Sequence, residues 1–532
     1  MCLSQKHDSS LWVMNRYEGS RFTATNDLPA CVLVSGWGLS TQVFDLILPS
    51  LALQFDVYRL DRVFSDKEVS FAQASESLHR VLLDFFKQSK KPYWLMGWSL
   101  GGNLALQAAK PRLVGLEGLF LVATTPKFIA DESFPLGVVQ SNFQAIQQRL
   151  EKNTAKSLAY FDRLQVHGDE KAEVLVNALK SLRQVEPKLS KEQLMSELEW
   201  LYEVDQREAL AGLRQSVYWF FGEHDPLVSS DLAKWITDRF PKMVVTMIEG
   251  ATHPIFLSQS EGFLSQLENC IASESRHQEK IQMANRFSKA AVTYDSYAHL
   301  QQLVGEKLLA KIKGKHFHHL LDAGCGTGFF SEELACHSQH LLGVDLASGM
   351  LDYAKQNHSG NALWIQADIE SLPLQNASVD AIFSSLAVQW VESLSALLNE
   401  WHRLLVSGGE VLISTLGPKS LFELRGSFES IDKFQHVNQF LPFDAVLEII
   451  KASPLTVVDT QSAEEVLTYP SCVDVMKDLK GIGATLVKGK QSKGLMTKER
   501  LTQLVDAYNA YQLPDGSLPA TYEVIYLHLQ KA

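Results

Sequence analysis

The stretch PYWLMGWSLGGNLALQAAK, residues 92–110, decides how the first half of this chain folds. The apolar run from Tyr93 to Met96 reads as a strand buried on both faces, and the Ala/Leu-rich residues after Leu100 read as a helix. Between them Gly97-Trp98-Ser99-Leu100-Gly101 fits G-x-S-x-G. A strand-to-helix turn this sharp imposes strained dihedrals on the serine, and side chains at the flanking positions would meet the neighbouring strand and helix. The Ser99 hydroxyl is then presented at a helix N-terminus, where backbone N–H groups favour a developing oxyanion. A glycine-rich turn with an ordinary surface serine is the alternative, and the residues downstream weigh against it.

Working outward, ACVLVSGWGLS (Ala30 to Ser40) starts as a buried strand and ends in the loop Gly36-Trp37-Gly38. That loop is expected to supply one oxyanion N–H, from Trp37 at an exposed loop tip, and Leu100 the other. Further strands are expected at Phe55 to Asp61, Gly118 to Thr124 and Val217 to Phe221. The Gln-, Lys-, Leu- and Glu-rich stretch from about Gly137 to Leu210 interrupts them as a helical lid. Asp225 follows the strand Val217 to Phe221, and His253 lies in the loop after Gly250. The chain order Ser99, Asp225, His253 is that of an α/β-hydrolase. His224 precedes a D-P-L turn and is expected to point away. Ser99 is the expected nucleophile, His253 the base that later acts as acid, and Asp225 the group that orients the imidazole.

The segments SGWGLSTQVFD, YWLMGWSLGGNLALQAA, FDRLQVHG and GATHPIFLSQSEGF together resemble the carboxylesterase of biotin synthesis, over about residues 10–268. The resemblance implies hydrolysis of the methyl ester of pimeloyl-[acyl-carrier protein]. It also implies substrate contacts at Trp37, Ser99, Leu100, the lid residues Phe161, Asp162, Arg163, Leu164 and Gln165, and His253. The sequence departs from that family at Ser35, where the family carries histidine.

HLLDAGCGTGFFSEELA, residues 319–335, organises the second half. A short strand runs into Asp322-x-Gly324-x-Gly326-x-Gly328 and then a helix. Alternate glycines let backbone approach a ligand closely, and no Lys-Ser/Thr follows, so a P-loop is excluded. The G-x-G-x-x-G spacing of a nicotinamide site is absent, and the acidic lead residue favours S-adenosylmethionine. Asp345, at the end of the next strand, is placed to accept from the ribose hydroxyls. Asp368 is placed for the adenine amino group, with Ile369 against the ring. Ser384, Ser385 and Leu386 are expected beside the methionine portion. His316, His318 and His319 lie close in sequence, but strand geometry is expected to split them, so no metal site is expected.

ANRFSKAAVTYD, DIESLPL, LAVQW, FLPFD and LKGIGAT resemble the malonyl-[acyl-carrier protein] O-methyltransferase of biotin synthesis, over about residues 280–532. The resemblance implies methyl transfer from S-adenosylmethionine to a carboxylate. The helix from Phe287 to Tyr297 is expected to close over the cofactor, with Tyr294 touching it. Lys480, Lys488, Lys490, Lys493, Lys498 and Arg500 form a basic stretch suited either to an acidic carrier protein or to a solvated surface.

The full length of 532 residues accommodates two domains of ordinary α/β size. The expected division is a hydrolase fold with a helical lid over 1–271, a linker at 272–279, and a class I, Rossmann-like methyltransferase fold over 280–532. A net charge of −12 argues against nucleic acid as a partner. The six cysteines are scattered without C-x-x-C spacing, which reads as a reducing, cytoplasmic compartment. No apolar run suggests a signal peptide or membrane span. The expected whole is one chain with two enzymes of biotin synthesis. The alternatives are a general carboxylesterase joined to a different carboxyl methyltransferase, or one inactive half used for docking.

Overall fold

A computed structural model of the chain describes residues 11–19, 28–63, 69–109, 113–184, 189–358, 362–484 and 497–532. Continuous apolar runs become central strands in both halves, as burial on two faces requires. The chain divides into two compact units, Met1–Glu274 and Ser275–Ala532.

The first unit holds a seven-stranded sheet of β1 (Trp12–Arg16), β2 (Ala30–Val34), β3 (Asp56–Arg62), β4 (Tyr93–Trp98), β5 (Leu116–Val122), β6 (Ser216–Gly222) and β7 (Val244–Ile248), in the order β1-β3-β2-β4-β5-β6-β7. Only the edge strand β1 runs antiparallel. All residues of β2 and β4 are buried, and alternate side chains feed two cores. Val32, Leu95 and Leu121 pack on one face, and Leu33, Met96 and Val122 on the other. The strand order reverses between β2 and β4, so the loops leaving their C-terminal ends flank a crevice. Helices Gln140–Lys152, Thr154–Gln165, Ala172–Leu182 and Lys191–Glu203 lie between β5 and β6 in sequence and form the lid segment.

The second unit holds β8 (Phe317–Ala323), β9 (Ser338–Asp345), β10 (Leu363–Gln366), β11 (Val379–Ser385), β12 (Leu405–Leu416), β13 (Leu455–Tyr469) and β14 (Leu518–Lys531), ordered β10-β9-β8-β11-β12-β14-β13. Strand β14 inserts antiparallel to both β12 and β13. It is buried nearly throughout, whereas the edge strand β13 is mostly exposed, matching the apolar run of one and the polar composition of the other. The switch point here lies between β8 and β11, beside the glycine loop.

The boundary between the units falls inside the helix Ser260–Tyr297. Residues 272–279, expected as a linker, are therefore helical. The segment carries no proline or glycine, and polarity alone does not stop a helix. No helix among the described residues is long and apolar enough to cross a membrane.

Candidate active sites

Ser99 sits at φ +53°, a conformation a β-carbon disfavours. Its neighbours hold it there. The Ser99 N–H donates to the Val122 carbonyl at 2.9 Å, and the Ser99 carbonyl accepts from Gly102 N at 2.9 Å. The glycines permit the close packing: a Cβ on Gly97 would stand 2.5 Å from the Gly102 α-carbon, and one on Gly101 2.3 Å from the Val34 carbonyl oxygen. The His253 Nε2 lies 3.0 Å from the Ser99 Oγ, and its Nδ1 2.8 Å from Asp225 Oδ2. The imidazole and the Asp225 carboxylate are both 1% exposed. Asp225 Oδ1 accepts from the N–H groups of Leu227 and Val228, so the turn after β6 aims the other oxygen at the histidine. His224 is exposed. A buried carboxylate, an imidazole and a serine hydroxyl in this order can activate the hydroxyl as a nucleophile.

Trp37 departs from the exposed loop tip expected of it. Its ring is 2% exposed, edge-on to Phe161 with centroids 4.7 Å apart, and its indole N–H donates to the Leu194 carbonyl. The lid covers it. Of the lid residues, Phe161 and Gln165 are buried, Leu164 is half-buried and Arg163 is exposed. Asp162 is buried with its carboxylate on Arg183 Nε at 2.8 Å. Two residues missed from sequence hold the histidine loop. Trp98 donates its indole N–H to the His253 carbonyl at 3.0 Å, and Asp169 accepts from the hydroxyls of Thr252 (3.2 Å) and Ser258. Trp98 was visible as the variable residue of G-x-S, but Asp169 carries no local signal.

In the second unit, Gly324, Gly326 and Gly328 all have positive φ. One cavity is lined by Gly324, Gly326, Asp345, Asp368 and Ile369, together with Phe287, Tyr294, Leu386 and Trp390. A Cβ on Gly326 would meet nothing within 4 Å, whereas Gly328 packs against the Trp364 ring. Asp345 accepts from the N–H groups of Gly326 at 2.9 Å and Ala347 at 2.8 Å, and burial pushes its carboxyl above the usual range. Lys280, missed from sequence, reaches the Asp368 carboxylate at 2.7 Å and also contacts Glu370 and Glu392. Burial would lower its ammonium, but hydrogen bonds to Asp368 and Glu370 hold it above an ordinary lysine. Asp322 and Gly328 lie outside the cavity lining, Asp322 being buried beneath the loop that follows it.

Ser384 also needs correcting. It is fully buried, with its hydroxyl donated to the Ala323 carbonyl at 2.7 Å, while Ser385, expected at the same place, does line the cavity, because successive strand residues alternate sides. His318 and His319 are not split. With His340 they bring one ring nitrogen each within 4.8 Å, since His319 and His340 pair across β8 and β9. Of the basic stretch, Lys480 and Lys498 are exposed and Arg500 pairs with Asp432, while Lys488, Lys490 and Lys493 lie outside the described residues.

The alpha/beta hydrolase family matches residues 31–266, and the methyltransferase domain family matches residues 321–413. The biotin biosynthesis bifunctional protein BioHC of Cellvibrio japonicus is 32% identical over 505 residues, covering 94% of this chain and 99% of that one. This chain belongs to the BioHC family. The BioHC protein of Teredinibacter turnerae is 31% identical over 529 residues, with 94% and 92% covered. The malonyl-[acyl-carrier protein] O-methyltransferase of Serratia marcescens is 40% identical over 244 residues, or 46% of this chain and 93% of its own length. The chain is thus a bifunctional enzyme of biotin biosynthesis with an esterase half and a methyltransferase half. In this BioHC family member the serine site lies in the first unit and the glycine-loop cavity in the second.

Proposed function

We propose that this BioHC family member methylates the free carboxylate of malonyl-[acyl-carrier protein] and hydrolyses the methyl ester of pimeloyl-[acyl-carrier protein]. The observation that carries the esterase assignment is His253 standing between Ser99 and Asp225 at 3.0 and 2.8 Å. Ser99 Oγ attacks the methyl ester carbonyl as His253 Nε2 takes its proton. The N–H groups of Trp37 and Leu100 hold the oxyanion, and Asp225 holds the imidazolium. His253 then gives that proton to the departing methoxide, which leaves as methanol, and water repeats the cycle to free the acid.

The residues around the cavity fit S-adenosylmethionine. Gly326 leaves open space against a backbone that can approach a ligand, and Asp345 keeps lone pairs for two hydroxyls beside the amides it already binds. S-adenosylmethionine supplies an electrophilic methyl group. Asp345 binds its ribose, Asp368 and Ile369 its adenine. Phe287, Tyr294, Leu386 and Trp390 exclude water from the reacting carboxylate, which is already anionic and needs no strong base. Methylation hides a charge that an apolar elongation pocket would desolvate at high cost. A cytoplasmic location is part of this reading, supported by the free cysteines Cys31, Cys270, Cys325, Cys336 and Cys472.

The test is the intact mass of malonyl-carrier protein after incubation with S-adenosylmethionine and either the native chain or Ser99→Ala. A gain of one methylene with both is expected, together with loss of pimeloyl methyl ester hydrolysis in Ser99→Ala. No gain with either overturns the methyltransferase assignment, and hydrolysis surviving in Ser99→Ala overturns the esterase assignment.

A further inference from the structure

Four charges lie buried behind the loop Ser35-Gly36-Trp37-Gly38. Arg62 ends β3, and its Nη1 and Nη2 donate to the carbonyls of Ser35 at 3.0 Å and Gly36 at 2.7 Å. Its Nε stands 2.6 Å from Glu197 Oε1. Glu197 Oε2 accepts from the Gly38 N–H at 3.0 Å. Arg183 Nη1 donates to the Gly38 carbonyl at 2.7 Å, and its Nε to Asp162. The side chains of Arg62, Glu197, Arg183 and Asp162 are 6, 0, 8 and 2% exposed.

Apolar side chains would seat a lid at lower cost than four buried charges. What the charges add is direction. A trans peptide is planar, and its N–H points opposite to its C=O. Arg62 holds the Gly36 oxygen, and so aims the Trp37 N–H of the same peptide plane. Glu197 holds the Gly38 N–H, which fixes the plane on the other side of Trp37. Arg183 holds the next plane through the Gly38 oxygen. Donors to an oxyanion act best when fixed before the charge develops.

We propose that Arg62, Glu197, Arg183 and Asp162 form the positioning device of the oxyanion loop, and that it makes ester hydrolysis conditional on a seated lid. Asp162 and Glu197 stand on lid helices, and Arg183 caps the end of one. A displaced lid therefore releases both planes that Glu197 and Arg183 hold. This rests on the assignment of Ser99 as nucleophile.

The variants are Glu197→Gln and Asp162→Asn in the full chain, assayed with p-nitrophenyl hexanoate. Glutamine offers one oxygen where the carboxylate serves both Arg62 and Gly38, so one contact is lost. Glu197→Gln is expected to lower kcat about 30-fold, less than the ~100-fold or more that accompanies outright loss of an oxyanion donor, with KM within about twofold. A trifluoromethyl ketone, which adds to Ser99 as an oxyanion, should weaken by the same factor as kcat/KM. Hexanoic acid, a ground-state product, should keep its affinity. Asp162→Asn, at the end of the chain of charges, should show the same split at about fivefold, and it decides the matter if Glu197→Gln does not fold. Unchanged kcat, or equal weakening of ketone and acid, overturns the positioning role. Hydrolysis that survives Ser99→Ala in the same assay overturns the nucleophile assignment instead.

Discussion

Asp322 shows how a single buried carboxyl couples the second unit to pH. Burial first, and then the nearby Asp345, pushes it up to about 8. An unfolded aspartate titrates near ~4, so the folded chain keeps a proton over this interval that the unfolded chain has released. Its contribution to stability is therefore full below about pH 4 and is lost as pH rises toward about 8. Asp322→Asn has no proton to release. Measured by calorimetry at pH 5 and pH 8, the native chain is expected to lose about 3–4 kcal/mol more than the variant, a differential of roughly 7–14 °C in the transition of that unit. Parallel pH curves for the two chains would reject the buried-carboxyl account. Ser99 is the opposite kind of residue: its strain at φ +53° is held by backbone hydrogen bonds on both sides and does not titrate.

The helix Leu100–Ala109 packs against its neighbours without room for a side chain at Gly101 or Gly102. A Cβ on Gly101 would press on the carbonyl oxygens of Val34 and Ser35 at 2.3 and 2.5 Å, and backbone yields less readily than a side-chain tip. Gly101→Ala is expected to cost about 2–3 kcal/mol, to lower the first unit's melting temperature by roughly 5–10 °C and to cut ester hydrolysis at least ~10-fold. Methyl transfer should be unchanged. Calorimetry with both assays checks this, and an Ala variant with native melting and hydrolysis would contradict the close-packing argument. The same element-level logic explains the histidines. Parallel pairing sets His319 opposite His340, a register no single strand reveals.

One chain that makes a methyl ester and also cleaves one needs a rule for which ester it spares. On the proposed reading the lid residues around Phe161, which the family resemblance sets against the substrate, supply that rule through acyl length. Pimeloyl exceeds malonyl by four methylenes, and at ~0.8 kcal/mol for each one buried the difference reaches about 3 kcal/mol. The kcat/KM for pimeloyl methyl ester on the carrier protein should therefore exceed that for malonyl methyl ester by about 100-fold. Stopped mass-spectrometric time courses on the two carrier-linked esters measure the ratio. Equal rates would leave the short ester unprotected and sink the length rule.

The strands around Ser99 and Asp322, the chain order Ser99, Asp225, His253, the glycine loop and the acids after β9 and β10 were legible in the linear chain. Each depends on rules that act within a few residues: burial of an apolar run, the room a glycine makes, the turn that ends a strand. What was not legible depends on partners brought from far away. Glu197 meets Gly38 across 159 positions, and Lys280 meets Asp368 across 88. The same holds for the burial of Trp37 under Leu194 and Phe161, and for the absence of Ser384 from the cavity wall, which turned on which face of β11 looks into the cavity. Local sequence restricts a residue's own backbone angles. Hydrogen-bond partners, burial and charge environment are properties of the space around it, and packing alone fills that space.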